Sequence, residues 1–197
     1  MFDLFLSFAV VVAQDKFVDP GPNKLVWFAS PHFGPRPVDA PIDTIVLHHT
    51  AGDSLAGTVK WFQMAESQVS AHFTVGKDGS IVQHVSTFDR AWHAGNSMDI
   101  SGRTNVNNFS IGIEIVNIGD GKHPYPQAQV DAVHHLCAHL VRHRFPGIKQ
   151  ITSHEFIAVP FGRKNDPILY PWDSLKDLGL PINVDPKNRK DGGKKPQ

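Results

Sequence analysis

The sequence predicts an α/β fold, a single domain with a central mixed β-sheet flanked by helices. Three observations carry this reading. Short apolar, β-branched runs recur at residues 42–47 (IDTIVL) and 110–116 (SIGIEIV), the signature of buried strands. Residues 54–65 and 127–144 instead space their apolar side chains for one helical face. Between them, AHFTV and SIVQHV flank Gly76-Lys77-Asp78-Gly79, which reads as a hairpin around a glycine-bearing turn. Strands mixed with two principal helices make a sheet covered by helices, in two or three layers. At 197 residues the chain suits one ordinary domain with short appendages and is too short for two full-sized ones.

In chain order, residues 2–13 are apolar apart from Asp3 and Ser7. The run is too short to span a bilayer, so no stable membrane insertion is expected. It reads as a signal peptide, slightly favoured by Val11-Val12-Ala13, or as a hydrophobic arm. A signal would make the protein periplasmic or secreted; an arm would leave it cytoplasmic. Residues 14–39 form a Pro/Gly-rich extended arm, because Pro20, Pro22, Pro31, Pro35 and Pro37 fix φ and remove N–H donors. The domain proper runs over 40–178. Its first strand ends in His48-His49, and Ser54 is placed to cap the helix bearing Val59, Phe62 and Ala65. Residues 94–109 are polar and turn-rich, a surface loop of functional length. The second helix carries Val130, Val133, Cys137, Leu140 and Val141 on one stripe and closes at Pro146-Gly147. Residues 179–197 are a basic extension, read as disordered from 187 because no apolar residue follows.

Lys+Arg and Asp+Glu are 19 each, so the net charge is zero. Five of those basic groups lie in residues 184–197, which leaves the body slightly acidic. Nucleic acid is therefore excluded as a partner, since phosphate binding needs a dense basic face. Cys137 is the one cysteine, which rules out an intrachain disulfide and a cysteine-rich zinc site. With 12 histidines, any metal would be held by imidazole and carboxylate. HExxH, Walker A and GxGxxG patterns are absent.

Several residues stand out for chemistry. His48 and His49 point to opposite sides of a strand end, so one can face a cleft; two carbonyl-capped histidines is the plainer reading. Residues 153–167 (SHEFIAVPFGRKNDP) put His154, Lys164 and Asp166 on one Gly- and Pro-bearing loop. A zinc hydrolase needs about three N or O ligands and an open position, and His48, His154 and Asp166 meet that need if the fold gathers them. An ordinary loop with one ion pair is equally tenable on this segment alone. Glu114 interrupts a run that Ile111, Ile113, Ile115 and Val116 make apolar on both faces. Desolvation there raises a carboxyl pKa toward that of a general base or acid. Trp92-His93-Ala94-Gly95 suits a sugar or peptide subsite, or a packed Trp beside a loop His. His135, His139 and His143 repeat every four residues but read as the solvated face of their helix.

Together, IVLHHTAG, SAHFTVGKDGSIVQHV, AWHAG, SIGIEIVN and TSHEFIAVPFGRKNDP fall in an order that resembles the type 2 N-acetylmuramoyl-L-alanine amidases. That family includes AmpD-like amidases, phage T7-type lysozyme and the peptidoglycan recognition proteins. The resemblance spans roughly residues 40–175. It implies Zn²⁺ held by His48, His154 and Asp166, with Glu114 and Lys164 catalytic. Trp92, His93 and Ala94 match the segment that lines the substrate groove. Ala71 stands where some relatives carry Tyr, which leaves Glu114 as the expected base. Asp166 separates the chain from recognition-only members that lose a metal ligand. The implied partner is peptidoglycan or a muropeptide, met by a monomer. A non-catalytic peptidoglycan-binding module and a metallopeptidase cutting within the stem peptide are the alternatives.

Overall fold

The computed structural model describes residues 25–193. The expectations for residues 1–13, the first part of the arm and the last four residues lie outside the described residues. Among the described residues there are nine strands: β1 (Leu25–Trp27), β2 (Phe33–Gly34), β3 (Thr44–His49), β4 (Phe73–Val75), β5 (Ile81–Gln83), β6 (Arg90–Ala91), β7 (Ser110–Ile115), β8 (Gln150–Ser153) and β9 (Ile182–Asn183). The helices are α1 (Leu55–Gln63), α2 (Gln127–His139) and the single turn α3 (His154–Ile157). Seven strands form one mixed sheet in the order β1-β5-β4-β7-β3-β8-β9. β4, β7, β3, β8 and β9 run parallel, whereas β5 pairs antiparallel with β4 and carries β1 alongside it. The predicted class holds: a single α/β domain with a mixed sheet and helices.

The sheet has two unlike faces, and period-2 alternation makes them so. Ile45, Leu47, Phe73, Val75, Ile111, Ile113, Ile115 and Ile151 all point one way, into a core closed by Val130, Val133, Leu136 and Cys137 of α2. Each such buried side chain contributes roughly 1.5–3 kcal/mol relative to exposure. The alternate positions point the other way and are largely polar: Thr44 and His48, Thr74, Ser110 and Glu114, Gln150 and Thr152. Here the sequence reading of β7 needs correcting. Ile111, Ile113 and Ile115 share one face, so the strand is apolar on that side alone and Ser110, Gly112 and Glu114 form its other face.

Ser54 caps α1 as expected, its side chain accepting from the Gly57 N–H. Gly79, at φ 83°, supplies the left-handed residue of the β4–β5 turn. α2 ends at His139 and continues as a π-helical turn, Leu140–Arg144, in which Phe145 N–H reaches the Leu140 carbonyl at 2.7 Å. β8 falls partly inside the segment read as a loop. Its polar residues concealed it, because their hydrogen bonds run sideways in the sheet. Gln150 bonds Thr44 Oγ1 at 3.1 Å and accepts from Asn183 at 2.7 Å, and Thr152 donates to the Asn183 carbonyl at 2.6 Å.

An arginine helps fasten each of two appendages. Arg36, in the arm, donates to the carbonyls of Asn107, Asn108, Thr87 and Ser110. Arg189 sits only 5% exposed where composition predicts a disordered tail. Its guanidinium bonds the Phe156 carbonyl and Asp191 and lies 5.0 Å from the centre of the Phe161 ring. Composition sees a charged residue, whereas the fold offers Arg189 an aromatic wall and a carboxylate.

His84 shows how the polar face is satisfied. Its Nδ1–H donates to the Phe28 carbonyl at 3.0 Å, and Nε2 lies 2.9 Å from Thr74 Oγ1. Burial pushes this imidazole down to about 4 against the Phe28 bond, which pulls it up. The unfolded chain takes up this proton from about pH 6.5 downward, and the folded chain does so only near 4, so stability falls across that window. Urea unfolding at pH 7 and pH 4.5 is expected to show a smaller acid loss for His84→Gln than for wild type; equal losses would remove His84 from the acid response.

Candidate metal centre

Strand register builds the site. His48 and Glu114 are direct cross-strand partners of β3 and β7, and Leu47 pairs with Ser153 of β8. His154 therefore follows one step beyond β8, level with His48 at the carboxyl ends of parallel strands, where α/β sheets place their ligand crevices. Ser153 turns the chain there, its side chain capping α3 by accepting from Phe156 N–H at 3.0 Å. Asp166 returns along the following loop, fastened where its carbonyl accepts from Glu155 N–H at 2.9 Å.

His48, His154 and Asp166 are all buried, with one donor atom of each within 4.8 Å of the others. Nδ1 of His48 lies 3.2 Å and Nδ1 of His154 3.1 Å from the same carboxylate oxygen, Asp166 Oδ2. The other edge of His154 meets the Ala94 carbonyl at 3.3 Å. The Ala94 carbonyl and the Asp166 carboxylate both only accept, so the one proton of a neutral His154 ring serves one of them and leaves a bare lone pair facing the other. The position calls for a positive charge between these groups. Burial, and next His154, push His48 down to about 4, so at neutral pH that charge is not a proton on His48. Two imidazoles and one carboxylate are the donor set of a three-ligand metal site. The residues fit a small divalent cation.

Glu114 flanks the triad. Burial first, and then the charge of Asp166, push its carboxyl up to about 8, with Lys164 pulling the other way. Its Oε2 is buried without a hydrogen-bond partner. A groove of about 460 Å³ opens over these residues, with Lys164 on its rim. Its opposite wall is apolar, made by Trp61, Val69 and Trp92.

The structure thus gathers His48, His154, Asp166, Glu114 and Lys164 around one groove, and Trp92 and His93 line it as well. Ala94 does not. It is fully buried in a cluster with Val46, Val106 and Phe156, and it touches the site through its carbonyl. His49 also borders the groove, while its Nδ1 accepts from Ile168 N–H at 3.2 Å. His135, His139 and His143 form no such centre: among the described residues, the one group in metal-binding reach is His48, His154 and Asp166. Sequence reasoning missed Trp61, Val69 and Asn107. Trp61 lies within the predicted helix but off its core stripe, an exposed aromatic that could have signalled a groove wall. Asn107 Oδ1 accepts both His93 N–H, at 3.1 Å, and Ala94 N–H, at 2.8 Å; nothing in its sequence context marks it.

Residues 38–168 match the family model described as N-acetylmuramoyl-L-alanine amidase. The 1,6-anhydro-N-acetylmuramyl-L-alanine amidase AmpD of Escherichia coli K12 is 35% identical over 156 residues, covering 70% of this chain and 82% of that protein. AmpD of Haemophilus influenzae is 31% identical over 164 residues, covering 73% and 86%. Among solved structures, a selenomethionine derivative of AmpD superposes with a TM-score of 0.70 at 30% identity, covering 83% of this chain and 97% of that one. AmiD from E. coli, in complex with anhydro-N-acetylmuramic acid-L-Ala-D-γ-Glu-L-Lys, gives a TM-score of 0.61 at 32% identity, covering 74% and 61%.

Equilibrium dialysis against Zn²⁺ is expected to leave one tightly held ion per chain. Changes one shell outside a metal site cost about 10–100-fold in affinity, so loss of a ligand in Asp166→Ala should exceed about 100-fold. Undiminished affinity in that variant would take Asp166 out of the donor set.

Proposed function

The chain belongs to the N-acetylmuramoyl-L-alanine amidase family, and from that premise we propose a zinc amidase acting on peptidoglycan or muropeptides. The bond cut joins the lactyl carbonyl of N-acetylmuramic acid to the amine of L-alanine. The observation that supports this reading best is the buried His48–His154–Asp166 cluster, with Glu114 beside it, whose Oε2 has no hydrogen-bond partner. A binding module has no need of a buried carboxyl oxygen without a partner, which is costly to keep.

A zinc ion held by the triad would supply Lewis acidity toward the amide carbonyl and make water a nucleophile near neutral pH. Glu114 then has two tasks. It takes a proton as the water oxygen bonds to the carbonyl carbon, and it returns that proton to the L-Ala nitrogen as the C–N bond breaks. Its elevated pKa suits both directions of transfer. The Lys164 ammonium, on the groove rim, faces the oxyanion that develops in the tetrahedral adduct. Trp61, Val69 and Trp92 offer an apolar wall to a pyranose or a stem-peptide side chain and screen the reacting bond from bulk water. Every group in this scheme comes from one polypeptide, so a monomer is a sufficient catalytic unit. Among the described residues, no helix is long and apolar enough to cross a membrane.

Digestion of an anhydro-muropeptide, read by mass spectrometry, is expected to release an intact stem peptide beginning with L-Ala. Cuts within the peptide would instead indicate a peptidase, and no products a binding module. Glu114→Ala is expected to retain zinc while losing about 10²–10⁴ in rate, the scale of general acid–base work; unchanged turnover would deny it the base role. Lys164→Ala should lower kcat more than it raises KM, because its contact strengthens in the transition state. The opposite split would make it a binding residue.

A further inference from the structure

The geometry points to His93 as a positioning residue that fixes the tautomer of His48 and so turns a bare Nδ1 toward the metal position. This inference rests on the zinc amidase reading and assigns His93 a task other than substrate contact.

The protons along the buried chain can be placed one by one. Ser110 Oγ lies 2.7 Å from the Val106 carbonyl, which only accepts, so the hydroxyl proton is committed there. The same Oγ lies 3.2 Å from His93 Nε2 and must accept from it, so His93 carries its proton on Nε2. His93 Nδ1 is then a bare acceptor, 3.0 Å from His48 Nε2. His48 consequently holds its proton on Nε2 and presents an unprotonated Nδ1, 3.2 Å from Asp166. A serine hydroxyl anchored on a backbone carbonyl thereby sets which nitrogen of a ligand histidine is free. An acceptor that holds the outer nitrogen of a ligand histidine fixes its ring orientation and tautomer in metal sites generally.

Two further observations give the arrangement a structural basis. His93 and Ala94 are consecutive, and each holds one ligand imidazole by its outer nitrogen, His48 through the His93 ring and His154 through the Ala94 carbonyl. Asn107 Oδ1 grips both of their backbone N–H groups, so one turn orients both histidine ligands together. Gly112 makes room for the ring, since a Cβ there would lie 2.4 Å from His93 Cγ. A glycine in mid-strand is otherwise unfavourable.

The test compares wild type, His93→Phe and His93→Asn. Phe keeps a ring but lacks the acceptor, whereas Asn places Oδ1 close to where Nδ1 stood. Long-range ¹H–¹⁵N imidazole spectra of zinc-free wild type are expected to show His48 protonated on Nε2 and His93 protonated on Nε2. Zn²⁺ affinity, measured against a competing chelator, is expected to fall about 10–100-fold in His93→Phe and to recover largely in His93→Asn, with KM for the muropeptide little changed. His48 protonated on Nδ1 in wild type would overturn the inference even if neither variant folds. So would wild-type zinc affinity in folded His93→Phe, or a rise in KM with unaltered zinc affinity, the mark of a substrate contact. Failure of the amidase reading is distinct, because wild type itself would then hold no zinc or release no stem peptide.

Discussion

Three electron-pair donors are buried within reach of one another at the carboxyl end of the sheet, and at neutral pH His48 takes up no second proton. Lone pairs of two imidazoles and a carboxylate repel unless a cation stands among them. The rest of the site is arranged around this constraint. Parallel register sets His48 beside Glu114 and one step from His154, the capped turn of α3 aims the second imidazole, and the loop to Asp166 closes the set. Glu114 feels the same field: burial and the Asp166 charge lift its carboxyl to about 8, which makes it suitable for moving a proton.

The sheet separates stability from chemistry by alternation. One face carries isoleucine, leucine, phenylalanine and valine against α2, and that burial holds the domain together. The other carries hydroxyls, imidazoles and carboxylates, nearly all closed into hydrogen bonds. The His48–His93–Ser110–Val106 chain is one run of these beside the site. Such a polar layer is tolerable only when its members are satisfied, and the exceptions are informative. Glu114 Oε2 is one such exception, on a residue that lines the groove.

Much of this was legible in the sequence, for identifiable reasons. Apolar runs marked β3 and β7, Ser54 marked the start of α1, and the Gly76–Gly79 turn marked the β4–β5 hairpin. The five motifs in order pointed to the family and to the donor set His48, His154 and Asp166. The hidden parts have physical causes too. β8 reads as polar because Gln150 and Thr152 make side-chain bonds within the sheet, and Arg189 reads as solvated because composition does not know where an aromatic pocket will form. Ala94 was read for its side chain, whereas its contribution is a backbone carbonyl, which no residue type advertises. Gly112 sat in view within SIGIEI, but its meaning required knowing that an imidazole passes within van der Waals distance of it.

X-ray absorption at the zinc edge of the metal-loaded protein probes the central claim most directly, because it reports the identity of the donors. The account predicts a first shell of light atoms at about 2.0–2.2 Å, with the outer-ring scattering of two imidazoles and no sulfur. A shell containing sulfur, or one without imidazole scattering, would contradict it.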